Sequence, residues 1–280
     1  MHTNEIVHDT FIPRWFGRLG NNIQQISNGI YFCEKNKVKF TSPDHPFINA
    51  IELTFGDNEF KISESSHNWF YFFEGPDKDF DVDITDLNFK RKEICEKYIL
   101  PNLKIDHDEI IESLEDDVCV VHIRSGDLYT HFPNSHTQNP LLYYLELYNL
   151  FRGKVIFIAE DNINPIVPCL YQALGDSIDV RFLSVQDAYS FMLRAKNLAT
   201  SGAGTFAISS AFCSKNLKNF YCTNIFIEHS LNPLMLKEQL NVFIADIADD
   251  KYFKVGEWNS AVNNIDKILN YKEDILFRRL

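Results

Sequence analysis

The chain has 280 residues, 45% of them hydrophobic, and carries 27 Lys and Arg against 39 Asp and Glu, a formal net charge of −12. This length implies one large or two modest domains, whose core buries roughly three quarters of the unfolded surface without any staple. The acidic balance argues against nucleic acid or an anionic membrane held by counterion release, so any phosphate must be gripped locally.

The six cysteines (Cys33, Cys95, Cys119, Cys169, Cys213, Cys222) form no CxxC pair and several lie inside apolar runs. Reduced, buried thiols are therefore expected rather than disulfides or a zinc site. Residues 1–16 show no basic start followed by an apolar segment, and no apolar run reaches membrane-spanning length. The expectation is a soluble, cytoplasmic protein with no membrane insertion. The 24 Phe and 12 Tyr mostly alternate with Ile, Val and Leu and read as core.

In chain order, Arg14-Trp15-Phe16-Gly17-Arg18-Leu19-Gly20-Asn21-Asn22 is a Gly-punctuated loop, after which Ile23, Ile26 and Ile30 recur at helical spacing. Lys37 to Thr41, Glu52 to Phe55 and Asn68 to Phe73 read as strands, followed by an acidic stretch from Gly75 to Asp86. Residues 90–116 are charged and helix-like but interrupted at Pro101, which puts the domain boundary near 101–116 and divides the chain into 1–110 and 111–280.

The second half is more regular. It reads as strand 118–124, polar loop 125–139, helix 140–151, strand 154–159, helix 165–174, strand 179–183, helix 186–196, strand 197–201, helix 205–214 and strand 219–226. Such alternation predicts an α/β fold with a doubly wound parallel sheet. Residues 233–280 read as amphipathic helices, and no internal repeat is evident.

The most informative stretch is Val118-Cys119-Val120-Val121-His122-Ile123-Arg124-Ser125-Gly126-Asp127. An apolar run of this kind is a buried parallel strand, and ligands bind outside the carboxyl ends of such strands. His122 and Arg124, two apart, leave it on one face. Gly126 allows a sharp turn or a close backbone approach, and Asp127 sets a carboxylate beside a fixed guanidinium suited to phosphate oxygens. An ion pair between Arg124 and Asp127 that merely closes the loop is an equal alternative at this point. Glu160-Asp161 follows the strand 154–159, and Ser201-Gly202-Ala203-Gly204-Thr205-Phe206 follows 197–201 as small residues opening a helix. Backbone N–H groups, a helix dipole and a Thr hydroxyl there would cradle a phosphate without a lysine.

Four ordered motifs carry a resemblance. Gly17-Arg18-Leu19-Gly20-Asn21-Asn22 resembles the GRxGNQ signature of the protein O-fucosyltransferases and α-1,2-fucosyltransferases, and His122-Ile123-Arg124-Ser125-Gly126-Asp127 their HxRxGD motif. Phe157-Ile158-Ala159-Glu160-Asp161 is similar to their F-x-S-D-D segment. Asp187 to Met192, Ala195-Lys196-Asn197 and Thr205-Phe206-Ala207-Ile208-Ser209 resemble the final motif.

The resemblance implies an inverting, metal-independent glycosyltransferase of GT-B architecture, two Rossmann-like domains facing each other across a cleft. The N-terminal one would serve the acceptor and the C-terminal one would bind the nucleotide sugar. By the same resemblance Arg124 holds the donor β-phosphate, His122 lies near base or diphosphate, Asp187 contacts the base and Thr205-Phe206 caps the diphosphate. Arg18, Gly20, Asn21 and Asn22 would face donor and acceptor from across the cleft. Ser125 stands where many members have a second Arg, and Glu160 replaces a first Asp, so the donor stays open between GDP-fucose and UDP-xylose classes. A short form without an anchor is similar to bacterial polysaccharide enzymes and to capsid-glycan xylosyltransferases of large algal viruses. The acceptor implied is a glycan or glycoprotein hydroxyl, and no cofactor is implied.

As the bond to the diphosphate breaks, charge grows on the phosphates, and preorganised donors at Arg124 and at the Ser201 to Phe206 loop would stabilise departure. Inversion also needs a base for the acceptor hydroxyl. Asp127 is the first choice by proximity, with Asp44, Glu52 and Glu64 as rivals. Asp161 could instead cap the following helix, and Asn21 and Asn22 could satisfy loop backbone. Asp81-Val82-Asp83 and Asp106-His107-Asp108 match the D-x-D metal pattern, but such triplets arise easily among 39 acidic residues. A non-catalytic nucleotide- or glycan-binding module would keep Arg124 and Thr205 without needing a base. A Rossmann oxidoreductase is disfavoured because no GxGxxG follows the first strand.

Overall fold

The computed structural model describes residues 12, 15–58, 83–130, 136–228, 230–247, 251–259 and 261–280. The α/β expectation holds. A seven-stranded sheet is built from β3 (Cys119–Ile123), β4 (Val155–Ala159), β5 (Asp179–Phe182), β6 (Asn197–Ala199), β7 (Asn219–Thr223), β8 (Asn241–Ala245) and β9 (Phe277–Arg279). Its order is β5-β4-β3-β6-β7-β8-β9, parallel throughout except for the antiparallel last pair. From β3 the chain steps outward through β4 to β5, then crosses back to β6 and proceeds the other way. The reversal lies between β3 and β6, where an open parallel sheet leaves a crevice at its carboxyl edge.

Helices cover both faces, which is why β3 reads as apolar without alternation. On one face α1 (Leu19–Asn36), α2 (Ile84–Ile94), α6 (Val185–Arg194) and α7 (Phe206–Cys213) close over Val120, Ile158 and Leu198. On the other, α4 (Leu141–Leu150), α5 (Ile166–Leu174) and α8 (Val262–Leu269) close over Val121, Phe157 and Ala199. A short α3 (Asp127–Thr130) follows β3 directly. Ile23, Ile26 and Ile30 of α1 belong to the same buried cluster as Ile208 and Phe212 of α7, so the N-terminal part shares a core with the sheet's helices. Local chemistry bounds these helices: Gly175 (φ 85) stops α5, and the Ser184 side chain caps α6 by accepting from the Asp187 amide at 3.2 Å.

Ahead of the large sheet, β1 (Lys39–Ser42) and β2 (Ile51–Thr54) form an antiparallel pair, and the strand expected at Asn68–Phe73 lies outside the described residues. α2 begins earlier than its composition suggested, because the Asp83 carboxylate accepts from the amides of Thr85 and Asp86 and opens the helix inside the acidic stretch. It runs through a π turn (Cys95–Ile99) into a 3-10 turn containing Pro101 and ends there. Arg91, buried on this helix, donates to Asn28 Oδ1 at 2.8 Å and to Ser27, and burial pushes its pKa down to about 10. All six cysteines are free, five of them buried.

The tail corrects the sequence reading. Among the described residues of 233–280 only Val262–Leu269 is an α-helix, whereas Asn241–Ala245 and Phe277–Arg279 are strands that extend the sheet. Their runs of three to five residues show no readable period, and pairing of β8 with β7 and of β9 with β8 decided their state. A regularity also escaped the sequence reading. Asn197, Asn219 and Asn241 sit in register on β6, β7 and β8, with Asn219 Nδ2 donating to Asn197 Oδ1 (2.7 Å) and Asn241 Nδ2 to Asn219 Oδ1 (2.9 Å). Asn197 closes the ladder by donating to the carbonyls of Asp116 and Val118.

Candidate functional site

The crevice between β3 and β6 gathers most of the expected residues. His122 and Arg124 continue the Val120 side of β3 and so point toward α1 and α7. Leu198 delivers the chain to the Ser201–Thr205 loop on the same edge. Glu160 leaves β4 on the face of Ile158, again the side of α1. The helix α1 starts at the crevice, and so does α7, so two helix N-termini meet there.

Glycine makes that meeting possible. A Cβ on Gly20 would lie 2.6 Å from the carbonyl carbon and Oγ1 of Thr205, so α1 touches the opening of α7 backbone to backbone. The contact is fixed by Thr205 Oγ1, which donates to Asn21 Oδ1 at 2.7 Å. Asn22, expected beside it, turns inward. Its Nδ2 donates to the Phe16 carbonyl and to Gln25 Oε1, so it shapes the preceding loop, while its Oδ1 is buried without a hydrogen-bond partner.

Arg124 is the centre. Its guanidinium is largely buried, which lowers its pKa, with Asp127 acting in the opposite sense. Nη2 donates to Asp127 Oδ2 at 3.1 Å, while Nη1 faces Gly204, where an added Cβ would stand 3.3 Å away. Nε is buried with no hydrogen-bond partner. A buried guanidinium N–H without an acceptor costs about 1–3 kcal/mol or more, a cost that an anion would remove.

Arg18 reaches over the same crevice from the start of α1, donating through Nη1 to Asp127 Oδ1 at 3.1 Å and through Nη2 to Glu160 Oε1 at 2.9 Å. Two guanidinium groups and two carboxylates thus alternate across the crevice. Gly126 is favoured by its φ of +59, and a Cβ there would come within 2.8 Å of Glu160 Oε2. The sequence places Glu160 at a strand end but gives it no partner. Its partner lies 142 residues away, a pairing that no local pattern announces.

His122 lies between the loop and the aromatic lining, with Nδ1 3.4 Å from Ser201 Oγ and its ring 5.2 Å from that of Phe206. Burial, then the charges of Arg124 and Arg18, push its pKa down to about 3, so the ring is neutral. It can orient a hydroxyl or a base edge but carries no charge at neutral pH.

The small-residue loop is held from behind. Gly202, at φ +107, faces the Thr137 carbonyl, and that carbonyl accepts from the Ala203 amide at 2.9 Å. Asn139 binds the carbonyls of Ser201 through its amide and Thr200 through its side chain. This removes one expected cradle donor, Ala203 N–H, and leaves the first turn of α7 as the anion-facing part. Asp161 is also committed: it accepts from Ser125 Oγ and from the Ile163 amide, bracing the β3 and β4 loops. Asp187 accepts from Ser184 Oγ at 2.7 Å at the opening of α6, after β5, two strands from the crevice's centre.

The rival bases are paired elsewhere, Asp44 with Lys104 at 2.8 Å and Glu52 with Lys39, and Glu64 lies outside the described residues. Of the D-x-D triplets, Asp83 caps α2 and Asp106 accepts from the amides of Asp108 and Glu109. Among the described residues no cluster of His, Cys, Asp or Glu has the arrangement of a metal site, and no helix is long and apolar enough to cross a membrane.

No protein-family profile matches the chain, and no curated protein matches its sequence. Among solved structures it is similar to a glycosyl transferase family 9 protein from Veillonella parvula, at 10% identity and a TM-score of 0.34, over 59% of this chain and 51% of that one. The chain thus spans about half the length of that structure.

Proposed function

We propose that the chain is a glycosyltransferase of GT-B type that moves a sugar, with inversion and without a metal, from a GDP-fucose- or UDP-xylose-class donor to a hydroxyl of a glycan or glycoprotein. Residues 111–280 would bind the donor and residues 1–110 the acceptor side. The observation that carries this reading is Arg124: a buried guanidinium with an unpaired Nε–H, at the reversal point of a parallel sheet, facing a glycine at the opening of a helix.

In this reading the diphosphate lies against Arg124 and the first turn of α7, with Arg18 reaching it from α1. As the anomeric bond breaks, the charge leaving with the diphosphate is met by donors already in place, and each such donor contributes about 3 kcal/mol. Neutral His122 and Ser201 would line the donor pocket beside Phe206, and Asp187 would contact the base. Asp127 takes the acceptor proton once the diphosphate draws the guanidinium groups off its two oxygens. A non-catalytic nucleotide- or glycan-binding module is the second reading, favoured by the engagement of both Asp127 oxygens in ion pairs.

Arg124→Ala tests the proposal. Transfer from a panel of GDP- and UDP-sugars should fall at least about 100-fold while the folded state survives. Near-normal turnover in the variant would remove the mechanism, and nucleotide binding without donor consumption in the presence of acceptor would leave the binding module.

A further inference from the structure

We infer that Glu160 is a positioning residue: it holds Arg18 over the crevice and competes with a diphosphate for it. This rests on the nucleotide-sugar reading above and goes beyond it by assigning a role to Glu160.

The two cations of the crevice differ in mobility. Arg124 is anchored, with its side chain only 14% exposed, whereas the side chains of Arg18 and Glu160 are 48% and 45% exposed. The exposed pair can exchange partners at little cost, since an ion pair in that setting is worth about 1 kcal/mol at most. The carboxylate of Glu160 packs against the turn at Gly126, where a Cβ would come within 2.8 Å of its Oε2, while its solvent contact stays large. It therefore fixes where Arg18 waits. The two guanidinium and two carboxylate charges cancel. A diphosphate brings at least two further negative charges and bonds to both Arg124 and Arg18. Asp127 and Glu160 then both give up Arg18, and Glu160, half in solvent, turns away.

It follows that Glu160 competes with the ligand for Arg18. Removing its charge should tighten anion binding, and should do so through Arg18 rather than by a general change of field. The test uses inorganic pyrophosphate as probe with the full chain, measuring Kd by calorimetry for wild type, Glu160→Gln, Arg18→Ala, their double variant and Arg124→Ala. Expected are about fivefold tighter binding in Glu160→Gln and no effect of the same substitution in the Arg18→Ala background. Unchanged or weaker binding in Glu160→Gln overturns the inference, as does equal tightening with Arg18 absent. If pyrophosphate binds neither wild type nor Glu160→Gln, or binds undiminished to Arg124→Ala, the anion site itself is refuted. Loss on Arg124→Ala with indifference to Glu160→Gln refutes only the role of Glu160.

Discussion

Gly20→Ala sets two effects of opposite sign against each other. Gly20 is inside α1 in a helical conformation, so propensity alone favours alanine by up to about 1 kcal/mol. The new Cβ, however, would stand 2.6 Å from the carbonyl carbon and Oγ1 of Thr205 and 2.7 Å from its oxygen, whereas ordinary contact begins at 3.4 Å. The obstacle is backbone, together with a hydroxyl locked onto Asn21, so α1 must retreat by on the order of 0.8 Å. Overpacking of this kind costs about 1–3 kcal/mol, and loss of the Thr205 to Asn21 hydrogen bond adds about 1. The net expectation is a destabilisation of about 2 kcal/mol, a fall in Tm of roughly 4–8 °C for a chain of this size. Pyrophosphate binding should weaken with it, because both helix openings shift. Scanning calorimetry decides the sign: a Tm equal to or above that of wild type would mean that α1 and α7 are not in backbone contact.

His122 should remain neutral throughout the physiological range. Its folded pKa of about 3 lies below the ordinary value of 6.5, so between these pH values the unfolded chain holds the extra proton, and stability is lost as pH falls through that window, by up to about 1.4 kcal/mol per pH unit. An NMR titration should place its midpoint below pH 5, and a midpoint near 6.5 would contradict its enclosure. Asn219→Ala should cost about 2 kcal/mol in denaturant unfolding by stripping the middle rung from the ladder and leaving Asn197 Oδ1 and Asn241 Nδ2 unmatched. A midpoint identical to that of wild type would show the ladder to be energetically idle.

Much was legible in the sequence because the signals are local. The apolar run of β3, the helical spacing of Ile23, Ile26 and Ile30, Gly175 past α5, and the polar residues clustered at strand ends each follow from backbone geometry within a few residues. Together they determined the α/β class, the elements from Cys119 to Thr223 and the edge at which Arg124, His122 and Thr205 sit.

What the tertiary structure decided concerns partners distant in the chain. It turned Asn22 inward and Asn21 outward, two adjacent residues of one type, because only one of them faces Thr205 across the contact at Gly20. It committed Ala203 N–H and Asp161 to bracing, made strands of tail segments too short to show a period, and brought Glu160 to Arg18. Periodicity and turn chemistry specify how a segment folds and which face it buries. Which charge meets which depends on how separate segments pack, and that information exists only once the sheet has been assembled.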